Sequence, residues 1–455
     1  MNSLATDRRA LLALIAAWAL HAGHFFYVCD DAYISFRVAR NLVEGHGLVY
    51  NLGVPPVEAH SNVLWVLVAA LGLVVGLSPA LFTAGLSLAC GGVLVWRVGR
   101  RSLAAAAMLA LSPAIAVWST SGLETLPFAL LAWLGFEGLE QDRRWAGPVL
   151  LALSLTRLEG IVWSLLLLAL RFRRHAAPWL LGWAAVLAWR VGFYGPHVGN
   201  TAQVKVGLRP DAVLRGGKYV AWNLLALWTP LLAIGGLRLD RASALALASL
   251  AAAVLVGGDF MPFGRLLVVG LPFLALAFAR LPRAVQLIGL VLGLLPSAGI
   301  QHTAKGLWFR MPDQAPFSER VMWERERDQV LVLQEVGRML QGAESLSAGA
   351  IGAVGWTSRI PLIHDRYGLV SPEVAQRQVE TLVMPGHDKR VPPFFFADQR
   401  PEVLFAAFVD PALVPSFDED LRKAGLDGVY ETGFLVEGER RLFVIRRREP
   451  PKETP

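Results

Sequence analysis

Cysteine is nearly missing from this chain. Its 455 residues hold two, Cys29 at the edge of one apolar run and Cys90 inside another, and that pair excludes a disulfide framework. Lysine is scarce too, with six against 37 arginines, and the arginines gather where apolar segments end. The net charge of +7 therefore records topology rather than affinity for nucleic acid. No GxGxxG run opens a helix, which excludes a dinucleotide fingerprint. No His or Cys spacing matches a metal signature. There is no internal repeat of the kind transporters built from two halves often show. No cleavable signal is expected either, because Arg8-Arg9 leads into an uncharged stretch, Ala10 to Val28, long enough to remain as an anchor.

What is abundant is apolar surface. The chain is 55% hydrophobic with a mean hydropathy of +0.47, which predicts a polytopic α-helical membrane protein. The enrichment stops near residue 300, leaving enough chain of ordinary composition for one more domain. Apolar segments run over 10–28, 62–77, 80–97, 102–118, 124–140, 146–156, 160–170, 177–194, 219–237, 242–256, 265–280 and 284–300. Six arginine clusters punctuate them: Arg8/Arg9, Arg97/Arg100/Arg101, Arg143/Arg144, Arg171/Arg173/Arg174, Arg238/Arg241 and Arg280/Arg283. All six fall on the cytoplasmic side if segment 62–77 is a re-entrant or interfacial helix that does not cross. The expectation is eleven spans, N-terminus inside, in a transmembrane catalytic domain over 1–302. Its first outer loop covers 29–79, and an extracytoplasmic domain follows over 303–455. Segments 146–156 and 160–170 are too short to cross ~30 Å and are expected to meet at an outward-facing cavity.

That topology collects the polar inserts on one face. Asp30-Asp31 comes first, a carboxylate pair at a membrane boundary where each disfavours ionisation of the other. One aspartate would suffice to cap the helix that follows. The second, with Tyr33 and Arg37 a turn away, points to general-base activation of a hydroxyl or to a divalent cation, Mg²⁺ or Mn²⁺, that orients a phosphate. Glu58 and His60 close a Gly- and Pro-rich loop. Glu124 follows a Ser-Gly-Leu turn, and Arg157 and Glu159 flank a helix break. Asn200 and Lys205 follow one Gly-containing break, and Asp259 and Arg265 follow another. The cations suit a phosphate. A polar group in such a background is costly unless it is used, so their shared side predicts one cavity.

The outer domain reads as α/β. A helix is predicted over Glu319–Leu340 and strands over Leu346–Ile351, Leu362–His364, Glu402–Val409, Val429–Val436 and Arg441–Arg447, with Gly349, Gly352 and Gly355 between the first two strands. His364-Asp365 and His387-Asp388-Lys389 are candidate acceptor contacts.

Several blocks resemble a known family. They are Asp30-Asp31-Ala32-Tyr33-Ile34, Gly45-His46-Gly47-Leu48-Val49-Tyr50-Asn51 and Ser121-Gly122-Leu123-Glu124. Thr156-Arg157-Leu158-Glu159-Gly160, Asn200-Thr201-Ala202-Gln203-Val204-Lys205, Gly257-Gly258-Asp259-Phe260-Met261-Pro262 and Pro385-Gly386-His387-Asp388-Lys389 continue the pattern. Together they resemble the polyprenyl-phosphate-dependent GT-C glycosyltransferases, and within them the mycobacterial terminal arabinofuranosyltransferases. Leu158 and Gly199 stand where members commonly carry proline. The resemblance implies a sugar carried on a polyprenyl monophosphate, a catalytic aspartate in the first outer loop (Asp30 or Asp31) and inversion at the anomeric centre. It also implies a glycan or glycolipid acceptor of the cell envelope, on the periplasmic side of a bacterial inner membrane. The competing reading is a transporter or flippase of a lipid-linked sugar, for which the Asp pair would serve movement rather than bond formation.

Overall fold

The structure is a computed structural model that describes residues 2–170, 172–196, 199–204, 209–300, 318–379 and 381–448. The proposed domain boundary at 302/303 and the Arg171 member of the arginine clusters lie outside the described residues. The chain opens with helices α1 (Asn2–His24), α2 (Asp30–Val43), α3 (Val63–Val74), α4 (Pro79–Gly99), α5 (Leu103–Ala110), α6 (Pro113–Trp118) and α7 (Thr125–Glu140). After them come α8 (Ala146–Thr156), α9 (Glu159–Leu170), α10 (Phe172–Tyr194), α11 (Asn200–Val204), α12 (Pro210–Leu227), α13 (Thr229–Ala233), α14 (Arg241–Leu255), α15 (Leu271–Phe278) and α16 (Arg283–Leu294).

Local chemistry sets the boundaries. Pro at the first position starts α4, α6 and α12, where its missing N–H costs nothing. Asp240 caps α14 by accepting from the Ser243 amide at 2.8 Å. Breaks subdivide the apolar segments. By length and composition two described helices can cross a membrane, Pro79–Gly99 and His175–Tyr194, and a third can if the pair Pro210–Leu227 and Thr229–Gly236, bent by 102°, counts as one span. The remaining apolar pieces are 10–17 residues long. Helix lengths alone therefore do not give the eleven expected crossings. α3, at 12 residues, is about 18 Å long, short of the ~30 Å apolar core.

The C-terminal part, called the outer domain after its expected side of the membrane, adds α17 (Glu319–Met339), β1 (Ser345–Ala348), α18 (Gly352–Ser358), β2 (Leu362–Asp365), α19 (Pro372–Ala375), β3 (Val403–Ala407), α20 (Val414–Lys423), β4 (Tyr430–Glu437) and β5 (Arg440–Arg447). The sheet order is β2-β1-β3-β5-β4. β1 pairs parallel with β2 and β3, whereas β5 runs antiparallel to β3 and β4. Gly438, with φ 60°, makes the two-residue hairpin turn between β4 and β5. The five strands fall where the sequence placed them. Between the first two, Gly352 and Gly355 fall on a helix, α18, for which the sequence reading named no element.

α18 explains its own glycines. A Cβ on Gly352 would collide with the Asp30 carbonyl, and one on Gly355 with the Tyr50 hydroxyl. The short helix therefore lies against α2 and the loop after it, and one continuous apolar core joins both parts of the chain through Phe36, Trp323, Val354 and Ile363.

Candidate active site

α2 divides its residues by helical period. Asp31, Ile34 and Ser35, spaced three and four apart, face a cavity of about 470 Å³ between the helical bundle and the outer domain. Tyr33 and Arg37 lie on another face and dock the outer domain. The Tyr33 hydroxyl accepts from Gln334 Nε2 at 2.9 Å. Arg37 donates to the carbonyls of Tyr50 (2.9 Å), Gly355 (2.8 Å), Ile360 (2.6 Å) and Pro361 (3.2 Å). Neither lines the cavity, so their expected role in substrate binding is corrected to one in assembly. The physical reason is the 100° step of the helix, which carries positions 33 and 37 away from the face of 31, 34 and 35.

Asp30 borders the cavity, but its carboxylate is committed: it accepts from the backbone N–H of Ala353 (2.7 Å) and Gly352 (3.2 Å), capping α18. Burial raises its pKa from the ordinary 3.8 to about 6. A carboxyl raised on folding contributes stability that is fully present below 3.8 and lost as pH climbs through about 6. The melting temperature of the wild type relative to Asp30→Asn is accordingly expected to fall between about pH 4 and pH 7, read by thermal unfolding of both proteins. A difference independent of pH would contradict this placement of Asp30.

The Asp31 side chain is 45% exposed, and its ion pair is with Arg265, at 3.5 Å. Arg265 is gripped by Asp259 at 2.6 Å and lies over Trp118, 5.5 Å from the ring centre. A backbone kink aims it. Phe263 and Gly264 both have positive φ, 54° and 65°, and the Phe263 amide donates to Glu319 at 2.6 Å. A side chain on Gly264 would press on Asn223. Across the cavity, Arg157 donates to Glu124 at 2.7 Å and contacts Glu159 at 3.4 Å, and Asn62 links Glu124 (3.0 Å) to Ser35 (3.1 Å). Arg157 sits in extended backbone at the break between α8 and α9, as the sequence predicted for that turn.

His60 borders the cavity and is 6% exposed; burial lowers its pKa to about 4, so it is neutral at pH 7. Its Nδ1 has no hydrogen-bond partner among the described residues. His387 also lines the cavity, with Tyr367 at 4.3 Å and Phe260 at 5.0 Å between ring centres, an aromatic surface suited to the C–H face of a sugar.

Three further candidates do not line the cavity. Glu58 pairs with Arg190 at 2.6 Å. Asn200 donates to the Gly368 carbonyl at 3.4 Å. Lys389 donates to the Ala375 carbonyl, turned away from neighbouring Asp388 and His387, which do line the cavity. For these three the physical reason is the same: a nearer partner in the fold satisfies the charge or amide. Lys205 lies outside the described residues. Conversely, sequence reasoning missed Arg215, which holds Asp388 with two bonds of 2.9 Å, and Glu326 and Gln329, which α17 brings to the cavity. Arg215 lies in the polar first half of α12 with Asp211 and Lys218, so no local signal singled it out. Nothing local marks Glu326.

From the polar cavity a narrow apolar slot of about 50 Å³ leads between α7, α9 and α14, walled by Phe128, Trp163, Ala253 and Val269. Arg157 and Arg265 border both spaces and stand at the junction. Among the described residues no three His, Cys, Asp or Glu side chains converge as a metal cage requires. With Asp30 bonded to amides and Asp31 to Arg265, the donor set does not fit a protein-held Mg²⁺ or Mn²⁺.

Fold and site together form a helical bundle with an α/β cap over a charged cavity. Two solved structures share this fold over nearly their whole length. ArnT from Cupriavidus metallidurans in the apo state matches with a TM-score of 0.52 at 14% identity, covering 98% of each chain. The same protein bound to undecaprenyl phosphate matches with a TM-score of 0.50 at 12% identity, covering 96% of this chain and 97% of the other. No family model matches the sequence, and no curated protein does.

Proposed function

We propose that this chain is a membrane glycosyltransferase that moves a sugar from a polyprenyl monophosphate to a hydroxyl of a cell-envelope glycan or glycolipid on the outer face of the bacterial inner membrane. The observation that carries this reading is the junction itself: two arginines stand where an apolar slot opens into a polar cavity, next to an accessible aspartate. A polyprenyl phosphate has that division of character, an apolar chain and an anionic head. The capture of undecaprenyl phosphate by a protein of the same fold supports the assignment.

In this mechanism the lipid lies along the slot and its phosphate meets Arg265 and Arg157. A guanidinium carries five N–H donors, of which Asp259 and Asp31 engage two on Arg265. As the bond from the anomeric carbon to the phosphate oxygen breaks, these cations hold the growing charge. The acceptor oxygen bonds the anomeric carbon from the opposite side, inverting it, and its proton passes to Asp31. Arg265 moving toward the phosphate leaves the Asp31 carboxylate to the incoming hydroxyl. Neutral His60 and the His387/Tyr367 wall orient the sugar.

The test is transfer by the purified full chain from a panel of labelled polyprenyl-phosphate sugars to a cell-envelope acceptor preparation. Transfer is expected from one donor class. If a preparation that serves another transferase gives none from any donor, while the protein moves lipid-linked sugar across vesicles, the flippase reading replaces this one. Arg265→Gln is expected to lower the transfer rate about 10²–10³-fold, measured at saturating donor. A rate close to wild type would remove Arg265 from the phosphate site.

A further inference from the structure

A second cavity, of about 220 Å³, lies within the outer domain between α17 and strands β1 and β3. Leu333, Val336, Leu346 and Phe405 line it, among backbone and side-chain polar groups. Val332 and Phe408, 48% and 39% exposed, are at its rim. One polar side chain on its wall has an atom unpartnered among the described residues, Nε of Arg366. The Arg366 guanidinium has the Phe405 ring 6.0 Å from its Cζ but no ion pair among those residues. Neighbouring Asp365 attracts it, but the hydrogen bonds of that carboxylate go to the amides of Tyr367, Leu369 and Val370. A half-buried guanidinium with no hydrogen-bonded anion of its own gains from one.

The position of the guanidinium gives the ligand a direction. Gly349 and Ala350 form the partition between this cavity and the larger one. A Cβ at Gly349 would stand 3.4 Å from Arg366 Nη2 and 3.0 Å from the Tyr367 ring, so the cation lies at the partition and the apolar rim lies away from it. We infer that this cavity binds a single-chain acidic amphiphile, with its carboxylate or phosphate head on Arg366 and its alkyl chain along Leu333 toward Val332 and Phe408. The inference is independent of the glycosyl-transfer reading.

The test is photolabelling of the full chain, in nanodiscs of zwitterionic lipid, by decyl phosphate carrying a diazirine near the chain end. Labelled peptides are mapped by mass spectrometry. Label is expected on 331–336 and 403–408. It should be displaced by unlabelled decyl phosphate or by decanoate, whichever head binds, and not by decanol or inorganic phosphate at the same concentration. Arg366→Gln is expected to reduce that label at least about tenfold, and Arg366→Lys, which keeps the charge, to retain most of it. Melting temperatures of all three proteins control for folding. Label confined to the slot beside Phe128 and Val269 would overturn the inference and leave the donor reading intact. Displacement by decanol as strong as by decyl phosphate would also overturn it, and this readout stands on the wild type even if Arg366→Gln fails to fold.

Discussion

Asp31→Asn is expected to lower sugar transfer by about 10²–10⁴-fold while leaving the melting temperature nearly unchanged. The amide has almost the shape of the carboxylate but cannot take a proton, and at this position the fold asks little of the charge. The carboxylate is 45% exposed and its ion pair with Arg265 is long, at 3.5 Å; such a pair is worth about 1 kcal/mol or less. Asp30→Asn should behave in the opposite way. Its single carbonyl oxygen can serve only one of the two α18 amides, and leaving the other unpaired costs about 1–3 kcal/mol. Stability should drop, with activity falling only as far as the outer domain loosens. Parallel transfer assays and melting curves on the two variants separate the roles. Loss of transfer in Asp30→Asn with full stability, and a fully active Asp31→Asn, would reverse the assignment.

The adjacency of Asp30 and Asp31 was legible in the sequence, and their division of labour was not. An i, i+1 pair on a helix points in directions 100° apart, so one member can face solvent while the other faces a partner. Which one does depends on where α18 docks, and that is a contact more than 300 residues away along the chain. The same distance hides Glu326. The strands of the outer domain were legible because β-branched and aromatic runs bounded by turns are local signals. The α18 glycines were not, because glycine is a poor helix former and its use here is steric, to let α2, Tyr50 and Asp30 approach. Polar inserts in an apolar background pointed to one cavity, and most of them do line it. Glu58, Asn200 and Lys389 had the right residue type and the right side of the bundle, yet partners in the fold absorb them.

Arg37→Gln is expected to be strongly destabilising, at roughly 3–5 kcal/mol. The guanidinium is 2% exposed and has no carboxylate partner among the described residues. Four carbonyls surround it instead, contributed by the loop after α2 and by the segment around α18, and the ring of Tyr50 lies 4.3 Å from its Cζ. Each charge-assisted bond is worth about 1.5–3 kcal/mol, and each carbonyl left dry adds a further penalty. Glutamine can satisfy at most two of the four. Lysine should rescue only partly, since a compact ammonium lacks the planar fork that reaches both sides of the seam. The consequence extends to the site. Asn51 pairs with the Ile363 backbone at 2.9 Å in both directions, and the Tyr50 hydroxyl donates to Ile351 at 2.6 Å. Arg37 is the central tie of that seam, which also places Gly349, Ala350 and Ile351 on the cavity wall. Hydrogen exchange over residues 351–361 should therefore accelerate in Arg37→Gln well before the helical bundle melts. A variant with wild-type melting and unchanged exchange there would show that the outer domain is held without this arginine, and that the cavity wall is set by the apolar core alone.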